Sequence, residues 1–192
     1  LNQEQKRAVL QTDGPVIILA GAGSGKTRVL THKVMYLMLE KSIDPQNILM
    51  VTFTNKAANE MKERVQRFLV SLGSNLQSPT VATFHSLCAK ILRAEGKCIN
   101  LPSQFAIYDT QDQIDAIKEA MESLSISIKE YKPSSVLASI SQAKNELISD
   151  SEYSKYARGY FQEKVARIYP MYQRVLSESN ALDFDVLLSR AV

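Results

Sequence analysis

Val16-Ile17-Ile18-Leu19-Ala20-Gly21-Ala22-Gly23-Ser24-Gly25-Lys26-Thr27 is an apolar run that opens into alternating glycines and closes on a Lys-Thr pair. Consecutive apolar residues at 16–19 suit a parallel strand covered on both faces. Gly21, Gly23 and Gly25 let the backbone curl so that its N–H groups surround phosphate oxygens. Lys26 supplies a point charge for β- and γ-phosphates, and the Thr27 hydroxyl is a ligand for Mg²⁺. The helix that starts here adds its positive N-terminal end. The order strand, phosphate loop, helix predicts an α/β fold that binds a nucleotide. One residue departs from G-x-x-x-x-G-K-[ST]: Ala20 stands where the first glycine belongs.

Outward from this loop, residues 1–100 alternate between strand and helix patterns. Asn2 caps a short helix over 3–10, and Asp13-Gly14-Pro15 turns the chain into the strand at 16–20. A helix over 25–40 places Val29, Leu30, Val34, Leu37 and Met38 on one side. Asp44-Pro45 breaks it. A second strand is expected at 48–53, a helix over 55–69, a polar loop at 71–79, a third strand at 80–83 and a helix over 85–94. Short apolar strands alternating with helices predict a P-loop parallel sheet flanked by helices. After Gly96 the pattern becomes helical, with no strand expected from 108 to 179. Helices are expected over 110–123 (capped by Asp109 or Thr110), over 134–147 starting near Pro133, and over 151–178. The last contains Gly159 and Pro170 and reads as two helices or one kinked helix. The stretch 182–192 reads as helical and apolar.

With 192 residues and 45% hydrophobic content, the chain can bury a core as one large domain or a domain with an insertion. No apolar run approaches the ~20 residues that span a bilayer, and the polar start carries no secretory signal. The chain begins with Leu1, as a trimmed fragment would. Cys88 and Cys98 lie outside any metal or disulfide spacing and suit reduced thiols in an intracellular protein. Residues 1–100 hold 13 Lys/Arg against 7 Asp/Glu, whereas residues 101–192 hold 10 against 13. The basic half contains the phosphate loop, which fits a polyanionic partner or an ordinary solvated surface.

Further segments narrow the reading. Leu1-Asn2-x-x-Gln5-x-x-Ala8-Val9, AGAGSGKTR at 20–28, Thr52-Phe53-Thr54-Asn55-Lys56-Ala57-Ala58-x-x-Met61 and Thr83-Phe84-His85-Ser86-Leu87-Cys88 occur in that order. Their sequence and spacing resemble the first motifs of UvrD/Rep/PcrA-like superfamily 1 DNA helicases, in which Ala also occupies the first loop position. Ala143-Lys144-Asn145-Glu146-Leu147 and Leu182-Asp183-Phe184-Asp185 resemble later segments of that family, so the likeness touches nearly the whole chain. It implies a RecA-like lobe (1A) over 1–97, an inserted all-helical subdomain (1B) over 98–180 and a return toward 1A over 181–192. The sheet is expected to be incomplete.

The resemblance also implies roles. Gln5 matches the glutamine that reads adenine through paired amide hydrogen bonds. Ala22, Gly23, Ser24, Gly25, Lys26 and Thr27 hold ATP, Thr27 with Mg²⁺, and Arg28 packs on the adenine. Phe53 stacks on bases of single-stranded DNA, while Thr54 and Asn55 donate to its phosphates. Thr83, His85 and Ser86 line the DNA path, although a helix cap or core position suits His85 equally. Lys144 touches duplex phosphates at a single-strand/duplex junction. Asp183 and Asp185 suit a helix start better than a Mg²⁺ pair, and Val186 replaces the family's next Asp.

An apolar strand ending in Asp-Glu, which would hold Mg²⁺ and orient the attacking water, is not found in the 192 residues. The expectation is therefore the N-terminal ATP-binding part of a 3′–5′ DNA helicase, monomeric and without membrane partners. By itself it does not turn over ATP. It belongs in the nucleus of a eukaryote or the cytoplasm of a bacterium. A non-motor nucleotide-binding regulatory module is the alternative. A small-molecule kinase would leave the segments at 52–61 and 83–88 unexplained.

Overall fold

Asn2 starts the first helix through a reciprocal cap. Its Oδ1 accepts the Gln5 N–H at 2.8 Å, and Gln5 Oε1 accepts the Asn2 N–H at 3.0 Å. In the computed structural model, which describes residues 1–71, 73 and 77–191, helices predominate over two small parallel sheets. The chain forms two compact units, Leu1–Leu87 and the residues from Cys88 onward. Among the described residues, no helix is long and apolar enough to cross a membrane.

In the first unit, α1 (Gln3–Leu10) packs on α2 (Lys26–Leu39). Lys33 Nζ ties the two by donating to the carbonyls of Ala8 and Gln11. Strand β1 (Leu49–Thr52) leads into α3 (Asn55–Ser71), and β2 (Thr80–Thr83) pairs parallel to β1 from Leu49↔Thr80 to Thr52↔Thr83. A two-stranded ribbon is not stable alone in water. Met61, Val65 and Leu69 lie at helical spacing on α3, and all three are buried with Val34, Met35 and Met38 of α2 and with Ile48 and Met50. Full burial stabilises each such side chain by ~1.5–3 kcal/mol, so this core holds the ribbon in place. Part of the polar loop expected at 71–79 lies outside the described residues.

The strand expected at 16–20 does not form a ladder. The segment has no regular structure, with Ile17 and Leu19 87% and 93% exposed. A parallel strand that is apolar on both sides needs neighbours to pair its backbone and layers to cover its faces. Neither meets it among the described residues.

Helix α4 (Phe84–Glu95) follows β2 directly. The second unit is built on α5 (Thr110–Ser123), α6 (Pro133–Asn145), the single turn α7 (Tyr153–Tyr156), α8 (Tyr160–Glu178) and α9 (Phe184–Arg190). Its core gathers Ile117, Met121, Val136, Ile140, Val165 and Ile168, all without measurable exposure. The 151–178 pattern divides at Gly159, whose φ of 91° precedes α8, and α8 continues through Pro170. The second unit is not all-helical. Strand β3 (Ala106–Tyr108) pairs parallel to β4 (Ala181–Asp183), so the 182–192 stretch begins as strand before α9. Three residues are too few to show a period of two, and the partner lies far along the chain, which hides this pairing from local pattern.

Candidate nucleotide and nucleic-acid site

The phosphate loop has the backbone its glycines allow. Gly23 and Gly25 have φ of 74° and 83°, and Gly25 is the N-cap of α2 without a side chain to cap it. The first N–H groups of α2 therefore lack an intrahelical acceptor and a capping side chain, the usual condition for binding an anion. Ser24 Oγ donates to the Gly21 carbonyl at 2.7 Å, which tightens the turn. Lys26 Nζ donates to the carbonyls of Gly21 at 2.7 Å and Ala20 at 3.0 Å. The ammonium thus lies against the loop, while the Thr27 hydroxyl makes no hydrogen bond to the described residues.

Gln5 is fastened to the same loop, its Nε2 donating to the Ser24 carbonyl at 3.0 Å. Gln5, Ser24 and Lys26 line a cleft of about 800 Å³ whose apolar wall includes Val16, Leu19 and Val29. A methyl group at position 25 would stand 3.0 Å from Gln5 Nε2, in a left-handed conformation. Gly25→Ala should therefore cost about 1–2 kcal/mol of backbone strain and push the Gln5 amide off the loop. The expected result is a lower melting temperature and a smaller rise on adding ATP; an unaltered ATP-induced rise would show that the loop need not hold this shape.

Arg28 lines a different cleft, of about 360 Å³, with His32, Arg64, Arg67 and Phe68. His32 meets the Phe68 ring edge-on at 5.3 Å. Desolvation, then the Arg28 charge and the N-terminal ammonium, hold the His32 pKa below its ordinary value. Arg64 and Arg67 each face a glutamate one turn earlier, at 3.8 and 3.4 Å, in exposed pairs that leave the cleft basic. Gln5 and Arg28, both expected at adenine, thus open onto separate clefts.

The carboxyl ends of β1 and β2 form the other candidate surface. Their register aligns Thr52 with Thr83, so the next residues, Phe53 and Phe84, stand side by side with ring centroids 5.4 Å apart. Phe53 is 87% exposed, so it does not end its strand as a core residue, and Phe84 is 40% exposed. Asn55, exposed, opens α3, and Thr54 Oγ1 accepts the Ala57 N–H at 3.2 Å. Thr83 is buried. Its hydroxyl donates to Ser86 Oγ at 2.8 Å and accepts the Ser86 N–H at 3.2 Å, so it caps α4 instead of lining an open path. His85 is half-buried beside it and Ser86 is exposed. Sequence reading missed Phe84 as a partner for Phe53; its signal was the equal distance of the two rings from the ends of adjacent strands.

Lys144 does not stand where it could meet the duplex phosphates expected of it. It is buried, and its Nζ pairs with Asp183 Oδ2 while lying 5.1 Å from the Tyr172 ring centroid. Tyr172 Oη donates to the same carboxylate at 2.9 Å, and Asp183 Oδ1 caps α9 at the Val186 N–H, 3.0 Å away. Burial and the Asp183 charge raise the Tyr172 pKa, so the phenol remains a donor. An interior ammonium already paired does not reach a phosphate. Asp183 does begin a helix, as expected.

The family model described as the UvrD/REP helicase N-terminal domain matches residues 1–192. Over all 192 residues the chain is 47% identical to the ATP-dependent DNA helicase PcrA of Bacillus subtilis (strain 168). It is 45% identical over the same length to the proteins of that name from Staphylococcus aureus (strain Mu50 / ATCC 700699) and Staphylococcus epidermidis. The match covers 26% of each relative's length. A phosphate loop closing on Lys26-Thr27, an exposed aromatic pair beyond two parallel strands and a family match over every residue agree: the chain belongs to the UvrD/REP helicase N-terminal domain family.

Proposed function

We propose that this chain is the N-terminal ATP-binding part of an ATP-dependent DNA helicase that moves 3′ to 5′ along single-stranded DNA. Residues 1–97 form the first part of a RecA-like lobe, 98–180 the insertion, and 181–192 lead back toward the lobe. In the intact protein the exposed 16–20 segment becomes a strand of a larger sheet, which would bury the apolar surface it now shows.

The loop fits a triphosphate: Gly25 leaves the start of α2 uncapped, and Lys26 exchanges its two loop carbonyls for phosphate oxygens. Gln5, held on the Ser24 carbonyl, stands ready at the loop for an adenine edge, whereas Arg28, which lines the other cleft, reaches the adenine face only once its side chain turns toward the loop. Thr27 would hold Mg²⁺, which when bound neutralises charge on the β- and γ-oxygens. The residues that orient water and complete the site belong outside this chain, so the 192 residues bind ATP without turning it over. Phe53 and Phe84 give unpaired bases a stacking surface, with Asn55 and Thr54 placed for phosphates. Opening and closing of two lobes on ATP then moves this grip along the strand, toward a duplex junction. The 192-residue fragment by itself is a monomer. The bacterial relatives favour the cytoplasm as its compartment, and none supports the nucleus.

The observation that carries this reading is the exposed Phe53 ring beside Phe84 at the ends of β1 and β2. In the intact protein Phe53→Ala should weaken single-stranded DNA binding by about 1–3 kcal/mol, read by fluorescence anisotropy of a labelled oligothymidine. ATP binding measured without DNA should stay as it was. Undiminished DNA affinity would favour the non-motor module.

A further inference from the structure

Lys33 turns its charge inward. It is half-buried, and its Nζ donates to the Ala8 carbonyl at 3.2 Å and to the Gln11 carbonyl. A lysine on a helix ordinarily carries its ammonium out to water. No carboxylate oxygen lies within 4.0 Å of Lys33 among the described residues. Its partners are instead carbonyls at the end of α1, the negative end of that helix. Gln11 ends α1 with extended backbone, without the left-handed turn that often closes a helix, so Lys33 supplies the closure from α2. Helix α1 needs it: eight residues do not hold a helix in water, and Val9 is the one residue α1 buries. Its start is tied to the phosphate loop by Gln5 Nε2 on the Ser24 carbonyl, and its end to α2 by Lys33. Lys26 and Lys33, seven positions apart, share one face of α2. Ala8 and Gln11 line the cleft together with Gln5, Ser24 and Lys26, whereas Lys33 does not. The Gln5 amide is also fixed in sense. Its Oε1 accepts the Asn2 N–H and its Nε2 donates to Ser24, each at 3.0 Å, so a flip would break both bonds. One N–H and one acceptor position of the amide remain, the pair that adenine N7 and its N6 amino group require. Guanine would set O6 against the amide oxygen.

We propose, on the ATP-binding reading above, that Lys33 is a positioning residue for base recognition: by closing α1 from α2 it keeps the Gln5 amide at the phosphate loop and sets the preference for adenine over guanine. Without Lys33, the Ala8 and Gln11 carbonyls lose their donor and α1 frays from its end. The Gln5 amide then shifts relative to the loop. The loop and Lys26, at the start of α2, hold the phosphates as before. A lysine serving stability alone leaves the ratio between the two bases unmoved.

The test uses the intact protein with ATP, GTP and inorganic triphosphate, each with Mg²⁺. Lys33→Met should raise the KM for ATP about tenfold, as when hydrogen bonding to the base is lost, with kcat within about twofold of the parent. The KM for GTP and the affinity for inorganic triphosphate should stay within about twofold, so the preference for ATP falls about tenfold. Lys33→Arg, which can also donate to two carbonyls, should restore it. Gln5→Leu should remove the same preference, and Gln5→Leu/Lys33→Met should lose no more than Gln5→Leu. Hydrogen–deuterium exchange of the peptide 1–11 should quicken in Lys33→Met, while the peptide 26–39 keeps its protection and so reports a folded variant. The proposal is overturned by a parent that takes GTP as readily as ATP, or by an unaltered ATP preference in Lys33→Met. So too by an equal loss of affinity for ATP, GTP and inorganic triphosphate, or by a further loss in the double variant. If Lys33→Met keeps the preference while the unmodified protein couples ATP turnover to DNA, this inference fails and the motor reading stands; if the unmodified protein hydrolyses no ATP, both fail.

Discussion

Lys26→Ala in the intact protein should reduce DNA-stimulated phosphate release about 10²- to 10³-fold, the usual loss when a fixed charge on developing negative oxygens is removed. The physical reason lies in what Lys26 touches. Its ammonium donates to two loop carbonyls and to no other described group, so the fold does not depend on it. Far-UV circular dichroism and urea stability should accordingly stay within about 0.5 kcal/mol of the parent. The rise in melting temperature on adding ATP should shrink, because ligand binding to the native state is what produces it. Lys26→Arg should not rescue turnover: a planar fork replaces a point charge in a loop whose carbonyls lie 2.7 and 3.0 Å from Nζ. A malachite-green assay measures the release, with the 192-residue chain alone as the background. Retained turnover in Lys26→Ala would mean that the loop does not hold the reacting phosphates.

What could be read in advance follows the range of the forces involved. Helices show in local spacing, and α3, α5 and α8 were legible because their buried residues recur every three or four positions. Caps are equally local: Asn2 and Asp109 each sit within three residues of the N–H groups they accept. Strands depend on partners. The 48–53 and 80–83 runs found each other and form a ladder, whereas the more apolar run at 16–20 has none among the described residues. Hydrophobicity marked it as a strand, but pairing is a property of neighbours. Strand β3 failed in the opposite sense: its three residues carry almost no pattern, and β4 supplies their ladder from the far end of the unit.

At the candidate site, motif order identified the loop and the strand ends, because glycine placement and a terminal aromatic are properties of single positions. Partnerships were not legible. Nothing in the run Ala143-Lys144-Asn145-Glu146-Leu147 says whether its lysine faces water, and a helix lysine ordinarily does. The departure is decided by Asp183, which stands 39 positions later and places its carboxylate on Lys144 Nζ. Thr83 misled for a similar reason, since a hydroxyl at a strand end serves an outside phosphate or the next helix equally well. Ser86 takes it for the helix.

The Lys144–Asp183 pair should accordingly be the most sensitive point in the second unit. Asp183→Ala removes the partner of an interior ammonium, the acceptor for Tyr172 and the cap of α9 in one step. The expected cost is about 3–5 kcal/mol for the uncompensated buried charge, read as a lowered urea midpoint. Lys144→Met should cost less, because Tyr172 Oη and the Val186 N–H still satisfy the carboxylate. Lys144→Met/Asp183→Leu should recover much of the loss, since a well-packed apolar pair replaces a buried ion pair at little cost. About 1 kcal/mol should remain missing, the value of the helix cap. A double-mutant cycle therefore gives a coupling well above the few tenths expected of independent sites. The same variants separate an interior role from a DNA contact. A phosphate ligand would carry about 0.7–0.9 of the log–log salt slope of DNA binding. Lys144→Met should leave that slope unchanged while lowering stability, and a reduced slope at full stability would return Lys144 to the DNA surface.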